Sequence, residues 1–207
     1  MQATFRIGSP WACVAAIGLS LTLGACANLS PTTPAAGWQP LYDKGSNLND
    51  WTLVGQANWR IQDDSLQADF LQSQGPSYLV SKKTHANFQI TSEFWVDSQT
   101  NSGIFIRCQD PKKIGADNCY EVNIWDTRPD QSYGTGAIVD VAKVSPMPRA
   151  GGQWNTMEIT AQGERLIVKL NGQTTVDVVD RKLADGHIAL QYGSGVVKFR
   201  KVLIRPL

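Results

Sequence analysis

The sequence predicts an all-β protein, a two-sheet antiparallel β-sandwich of the jelly-roll, lectin-like kind. Three observations point there. From Trp51 onward the chain is a series of short alternating or β-branched runs parted by turn residues. No window of a dozen residues carries sustained helical spacing with caps. About a dozen strands, each with one apolar face, cannot be satisfied by one flat sheet, so two sheets must pack face to face.

Residues 1–25 read as an export signal: one early cation, Arg6, precedes an apolar run from Trp11 to Ala25 that is too short and too poorly flanked for a membrane span. The run ends in Leu23-Gly24-Ala25-Cys26, which resembles a bacterial lipobox and implies lipid on the Cys26 sulfur. An ordinary cleaved secretory peptide is the alternative. Ala27 after the cysteine resembles outer-membrane sorting signals, giving a cell-envelope protein facing the periplasm and held to the membrane through Cys26. Residues 26–37, rich in Pro, Ser and Thr, are expected to be a flexible tether. The folded domain is then 38–207, long enough for one sizeable core.

Strands are expected at 59–61, 65–68, 78–81, 88–96, 103–108, 120–125, 137–141, 154–162, 165–170, 173–179, 186–192 and 196–204. Asn171-Gly172 is a strong two-residue hairpin turn, since both residues tolerate positive φ, and Gly163-Glu164 suggests another. The weakly patterned stretch 126–153, with Pro129, Pro146, Pro148 and Gly134-Thr135-Gly136, reads as a lid or rim carrying Arg128, Asp130 and Tyr133 beside Trp125. Trp51, Trp59 and Trp154 are assigned to the core.

Charge and cysteines narrow the function. The chain has 19 basic and 18 acidic residues, so loss of Arg6 with the signal leaves a formal charge of zero. Scattered cations on a neutral chain offer no field for a phosphate backbone, which argues against nucleic acid. Of four cysteines, Cys108 and Cys119 remain for a disulfide in an oxidising compartment. No CxxC pattern exists and the histidines are His85 and His187 alone, so a zinc site is a poor alternative to the disulfide, and no metal ligand or cofactor is nominated. Strict alternation places Cys108 with Ile104 and Ile106 but Cys119 with Glu121 and Asn123; their bond therefore demands a bulge or irregular strand ends.

Alternation also nominates a site. Glu93 and Trp95, Phe105 and Arg107, then Glu121, Asn123 and Trp125 fall on polar faces of successive strands, with Ile104, Ile106, Val122 and Ile124 behind. His187 and Gln191 belong to a fourth strand, and Asp126 and Tyr133 to the following loop. Sugars need this mixture, because aromatic rings pack on the C–H faces of a pyranose while carboxylates, amides and guanidinium meet its hydroxyls. The plain alternative for Glu93, Arg107 and Glu121 is a solvated cross-strand charge pairing.

At these residues the chain resembles the 3-keto-disaccharide hydrolase family. Leu41-Tyr42-Asp43-Lys44-Gly45 through Trp51, Asn101-Ser102-Gly103-Ile104-Phe105-Ile106-Arg107, and Tyr120-Glu121-Val122-Asn123-Ile124 with Asp126 carry the likeness. Thr135-Gly136-Ala137-Ile138, Trp154-Asn155, Leu170-Asn171-Gly172, Leu190-Gln191 and Phe199-Arg200 continue it in order. Asn123 stands where Gln is usual, and Val139, Tyr192 and Lys201 also depart from the pattern. The resemblance implies a concanavalin A-like sandwich of the lectin or glucanase type and cleavage of glycosides already oxidised at C3.

A ketone at C3 acidifies C2–H, so a carboxylate can take that proton while a cation or amide stabilises the enolate and an acid assists departure at C1. Glu121 is expected to be the base or acid, Glu93 its partner or a hydroxyl-positioning group, Arg107 the oxyanion stabiliser, and Asn123 and Asp126 orienting groups. Trp95, Phe105, Trp125, Tyr133, His187 and Gln191 are the expected sugar contacts. An ordinary two-carboxylate glycosidase ranks lower, because the 120–125 run holds one acid. A non-catalytic glycan-binding lipoprotein module remains the alternative, followed by an envelope protein that binds another protein through an apolar patch.

Overall fold

The computed structural model describes residues 36–72 and 74–207. The expected export segment, Cys26 and most of the expected tether lie outside the described residues.

Among the described residues thirteen strands follow in order: β1 Gln39–Tyr42, β2 Trp51–Val54, β3 Arg60–Gln62, β4 Ser65–Ala68, β5 Ser77–His85, β6 Phe88–Val96, β7 Asn101–Cys108, β8 Tyr120–Ile124, β9 Trp154–Gln162, β10 Arg165–Leu170, β11 Gln173–Val179, β12 Gly186–Ser194 and β13 Val197–Pro206. They form two antiparallel sheets, an eight-stranded one ordered β11-β10-β9-β6-β13-β4-β3 with β1 also on β13, and a five-stranded one ordered β2-β5-β12-β7-β8. The protein is an all-β sandwich, as the alternation requires.

The core lies between the sheets. Phe88, Ile90, Phe94 and Val96 of β6, with Met157 and Ile159 of β9 and Phe199 and Val202 of β13, meet Ile104 and Ile106 of β7, Val122 and Ile124 of β8 and Ile188 and Leu190 of β12. On β6 buried and half-buried residues alternate without a break, the signature of a strand with one face in the core. Asn171 and Gly172 both take positive φ, closing the β10–β11 hairpin. Trp51 is buried and its indole donates to Leu41 O at 3.0 Å. Trp154 departs from expectation: it faces outward, 38% exposed, with the Arg200 guanidinium 4.2 Å from its ring centre.

Residues 137–141 also differ from the expected strand. They make isolated bridges, Val122 to Ile138 and Ile138 to Ala142, so residues 136–139 run as a fringe along the free edge of β8, while Gly151 farther along bridges Val96 of β6. Asn123 N donates to Ala137 O at 3.0 Å, Gly136 N to Asn123 O at 2.9 Å and Val139 N to Glu121 O at 3.0 Å. The fringe satisfies the backbone of an edge strand that would otherwise be open.

Candidate functional site

The bulge demanded by the cysteines is present and decides which side chains share a face. Along β12 and β7 the register steps from His187 opposite Cys108 to Ala189 opposite Phe105, so β7 carries one residue more than its partner. Arg107 takes up that residue with φ of +54°. Gly186 makes room for it, since a Cβ at 186 would stand 2.4 Å from the Arg107 carbonyl carbon. Beyond the bulge Cys108 turns to the outer face, where it is disulfide-bonded to Cys119 and packs with Phe105, Tyr78, Val80 and Ala189.

The same bulge removes Arg107 from the expected constellation. Its guanidinium is fully buried, donating to Ala86 O through Nε and Nη2 (3.1 and 2.7 Å) and to Gly163 O and Leu183 O through Nη1 (2.8 and 2.9 Å). It ties together three turns at one end of the sandwich. Burial lowers its pKa from the ordinary arginine value. Tyr120 extends this knot, donating to Asp180 Oδ1 at 2.6 Å and accepting from Leu183 N at 3.0 Å. Burial, then the bond to Asp180, pushes its hydroxyl pKa up to about 12. The expected oxyanion stabiliser is a structural tie.

Glu93 and Trp95 are also displaced, because β6 belongs to the eight-stranded sheet while β7 and β8 belong to the five-stranded one. Glu93 pairs with Arg200 at 2.6 Å, and Lys198 sits 5.1 Å from the Trp95 ring centre. This is the plain cross-strand charge pairing, on the opposite side of the molecule. Asp126 is buried as an anchor of the fringe, accepting from Thr135 Oγ1 at 2.6 Å and from Ala150 N and Gly151 N, both at 2.9 Å. His187 lies one row beyond Phe105, its Nδ1 held 2.7 Å from Ser81 O. Tyr133 contributes its carbonyl to the site, while its ring lies under Lys143.

What remains together is compact. Two rows cross the outer face of the five-stranded sheet: Tyr78, Gln191, Gly103, Asn123, and Val80, Ala189, Phe105, Glu121. Glu121 is the one carboxylate at the outward positions of β5, β7, β8 and β12. Phe105 is its partner on β7, and Val139 opposes it on the fringe. No side-chain hydrogen bond reaches its carboxylate among the described residues. Desolvation by this apolar setting raises its pKa to about 7; Arg128 opposes the rise and Asp140 adds to it.

Around Glu121 stand polar groups with spare capacity. Asn123 is fully buried and its amide donates to Tyr133 O at 2.7 Å, while its Oδ1 has no partner among the described residues. Gln191 is 6% exposed; its amide approaches Tyr78 Oη at 3.4 Å and its Oε1 is likewise unpartnered. Tyr78, edge-on to Phe105 at 5.4 Å, has its hydroxyl pKa pushed up to about 12, chiefly by burial, so it stays a donor at neutral pH. At the rim Arg128 lies 5.5 Å from the Trp125 ring centre. Tyr78, Gly103 and Arg128 were not among the nominated site residues: strand pairing, which local pattern does not encode, brings Tyr78 and Gly103 beside Gln191. Among the described residues, no cluster of three or more His, Cys, Asp or Glu is placed to hold a metal.

Residues 37–205 match the profile of the 3-keto-α-glucoside-1,2-lyase-like domain. Among curated proteins none matches the chain. Among solved structures, a proposed glycosyl hydrolase from Parabacteroides distasonis is similar at 25% identity and a TM-score of 0.66, covering 82% of this chain and 99% of its own. The carbohydrate-binding module CBM66 from Bacillus subtilis shares the fold at 18% identity and a TM-score of 0.59, over 77% and 97% of the two chains. The mannose-bound exoplasmic domain of VIP36 shares it at 8% identity and a TM-score of 0.56, over 83% and 90%.

Proposed function

Since the chain belongs to the 3-keto-α-glucoside-1,2-lyase-like family, we propose that it cleaves 3-keto-glycosides on the outer face of its five-stranded sheet, with Glu121 as the proton-transfer group. The observation that carries the reading is Glu121 itself: a carboxyl without a hydrogen-bond partner among the described residues, desolvated beside Phe105, with a pKa of about 7. Such a group both takes and returns a proton near neutral pH.

As carboxylate, Glu121 removes the C2 proton made acidic by the C3 ketone, and the electron pair moves onto the ketone oxygen. Tyr78 and Arg128 replace Arg107 as stabilisers of that oxygen, one as a neutral donor and the other as a cation. When the enolate collapses, the C1–O bond breaks, the aglycone leaves with a proton from Glu121, and an unsaturated 3-keto sugar remains. Water adding across that double bond gives the hydrolysed sugar.

The test is direct. Purified protein is incubated with a 3-keto-glucoside and with its unoxidised parent; turnover of the first alone, lost in Glu121→Gln, supports the reading. Turnover of neither by wild type defeats it. Glycan binding without turnover is the second reading, favoured by the single carboxylate on the face and by the fold shared with CBM66. Affinity for glucosides with no turnover of the oxidised ones selects it.

We also propose that residues 1–25 direct export and that Cys26 carries lipid, placing the domain at the periplasmic side of an envelope membrane. Cys26→Ser should move the protein from the membrane to the soluble fraction of cells, and unchanged membrane association would refute the anchor.

A further inference from the structure

The two free amide oxygens at the centre of the outer face carry an inference that deepens the proposed function. Asn123 and Gln191 flank Gly103 on either side, one strand away each. The orientation of Asn123 is fixed chemically, because Tyr133 O accepts only, so the nitrogen must face it and Oδ1 must face away. Gln191 Oε1 lies 3.4 Å from where a Gly103 Cβ would be, and Val122 O lies 3.1 Å from the same point. Gly103 thus keeps open the space into which the amide of Gln191 leans.

A buried acceptor without a donor is costly, and two within one small area are a persistent demand for O–H or N–H groups. The Tyr78 hydroxyl beside them accepts from the Gln191 amide nitrogen at 3.4 Å, and no described residue donates to either oxygen. A pyranose ring presents hydroxyls that are donors at closely spaced positions, and a ketone in the ring is an acceptor that cannot meet this demand. We propose that Asn123 Oδ1 and Gln191 Oε1, across Gly103, form a subsite that accepts hydrogen bonds from two free hydroxyls of the bound sugar. It selects sugars whose hydroxyls there are unsubstituted and rejects those lacking or blocking them. Both oxygens are buried, so a hydroxyl reaches them only by entering between the outward side chains of the face.

The experiment measures binding of methyl α-glucopyranoside and its four monodeoxy derivatives to the wild-type protein by calorimetry, and repeats it with Asn123→Leu. Two derivatives are expected to bind about tenfold more weakly than the parent, as when a hydrogen bond to a buried acceptor is lost. Asn123→Leu, checked for an unchanged melting profile, is expected to bind more weakly and to lose discrimination against one of those two. Gly103→Ala should weaken all the glucosides together by filling the floor. Equal binding of all four derivatives, or no binding of the parent, overturns the subsite. The outcome is separate from the catalytic reading: turnover of a 3-keto-glucoside without hydroxyl discrimination removes the subsite alone. Discrimination without turnover keeps the subsite and removes the chemistry.

Discussion

The two faces of the five-stranded sheet carry similar polar chemistry in opposite states. Facing inward, Arg107 and Tyr120 spend their hydrogen-bonding capacity on three turns, on Asp180 and on Leu183 N. Facing outward, Asn123 and Gln191 hold buried oxygens that no donor among the described residues meets, and no side-chain hydrogen bond among those residues reaches the half-buried Glu121 carboxylate. The inner set is complete and therefore structural; the outer set is incomplete and therefore suited to a ligand. Residue type did not separate them, since a guanidinium lies in the first and plain amides in the second. What separates them is whether the fold itself satisfies each group.

The largest effects should come from attacking both sides. Arg107→Met leaves the Ala86, Gly163 and Leu183 carbonyls without donors and should destabilise the domain by about 4 kcal/mol, read as a lower urea midpoint. Arg107→Lys should recover little, because one ammonium cannot span three turns as the planar fork does. A lysine variant of full stability with abolished turnover would break the comparison and return Arg107 to the chemistry.

Glu121→Gln should cut turnover by about a hundredfold or more while the domain stays folded. The sign of its stability effect follows from the raised pKa. Below about pH 4.5 the carboxyl is protonated in both folded and unfolded chains, and wild type and variant should differ little. As pH rises from there, the unfolded chain ionises first, so wild-type stability falls relative to the variant until the folded group ionises near pH 7. Above that the variant should be more stable by up to about 3 kcal/mol. Denaturant titrations at pH 4, 6 and 8 check the trend, and a constant difference would show that Glu121 is not desolvated.

The fold was readable because it rests on local alternation. The alternate apolar positions of β6, Phe88, Ile90, Phe94 and Val96, and the Asn171-Gly172 turn each specify their element within a few residues. The geometry of the candidate site was readable in part. That Glu121, Asn123 and Phe105 share one face follows from their places on two neighbouring strands, and the cysteine mismatch pointed to a bulge or irregular strand ends. That the bulge inverts Arg107 was hidden, since the irregularity could fall on either strand, before or after Arg107 or next to Cys119. That β6 lies in the other sheet from β7 was hidden as well, because the 97–100 connection gives no sign that the chain crosses between layers.

Two smaller effects sharpen the comparison. Asp126→Asn places an amide nitrogen or a single oxygen where Ala150 N, Gly151 N and Thr135 Oγ1 all donate, and should cost about 2 kcal/mol. Because the fringe holds Asn123 and Glu121 through their backbones, turnover should fall with it, more in rate at saturating substrate than a remote variant of equal stability. The smallest effect belongs to Glu93. Its pair with Arg200 is solvent-facing, the two side chains 29% and 47% exposed, so screening leaves it little energy. Glu93→Gln should change stability by less than about 0.5 kcal/mol and leave turnover of a 3-keto-glucoside intact. That result isolates the five-stranded sheet as the working face. A folded Glu93→Gln protein without turnover would instead mean that the eight-stranded sheet takes part, and the division between a satisfied side and an unsatisfied one would no longer locate the chemistry.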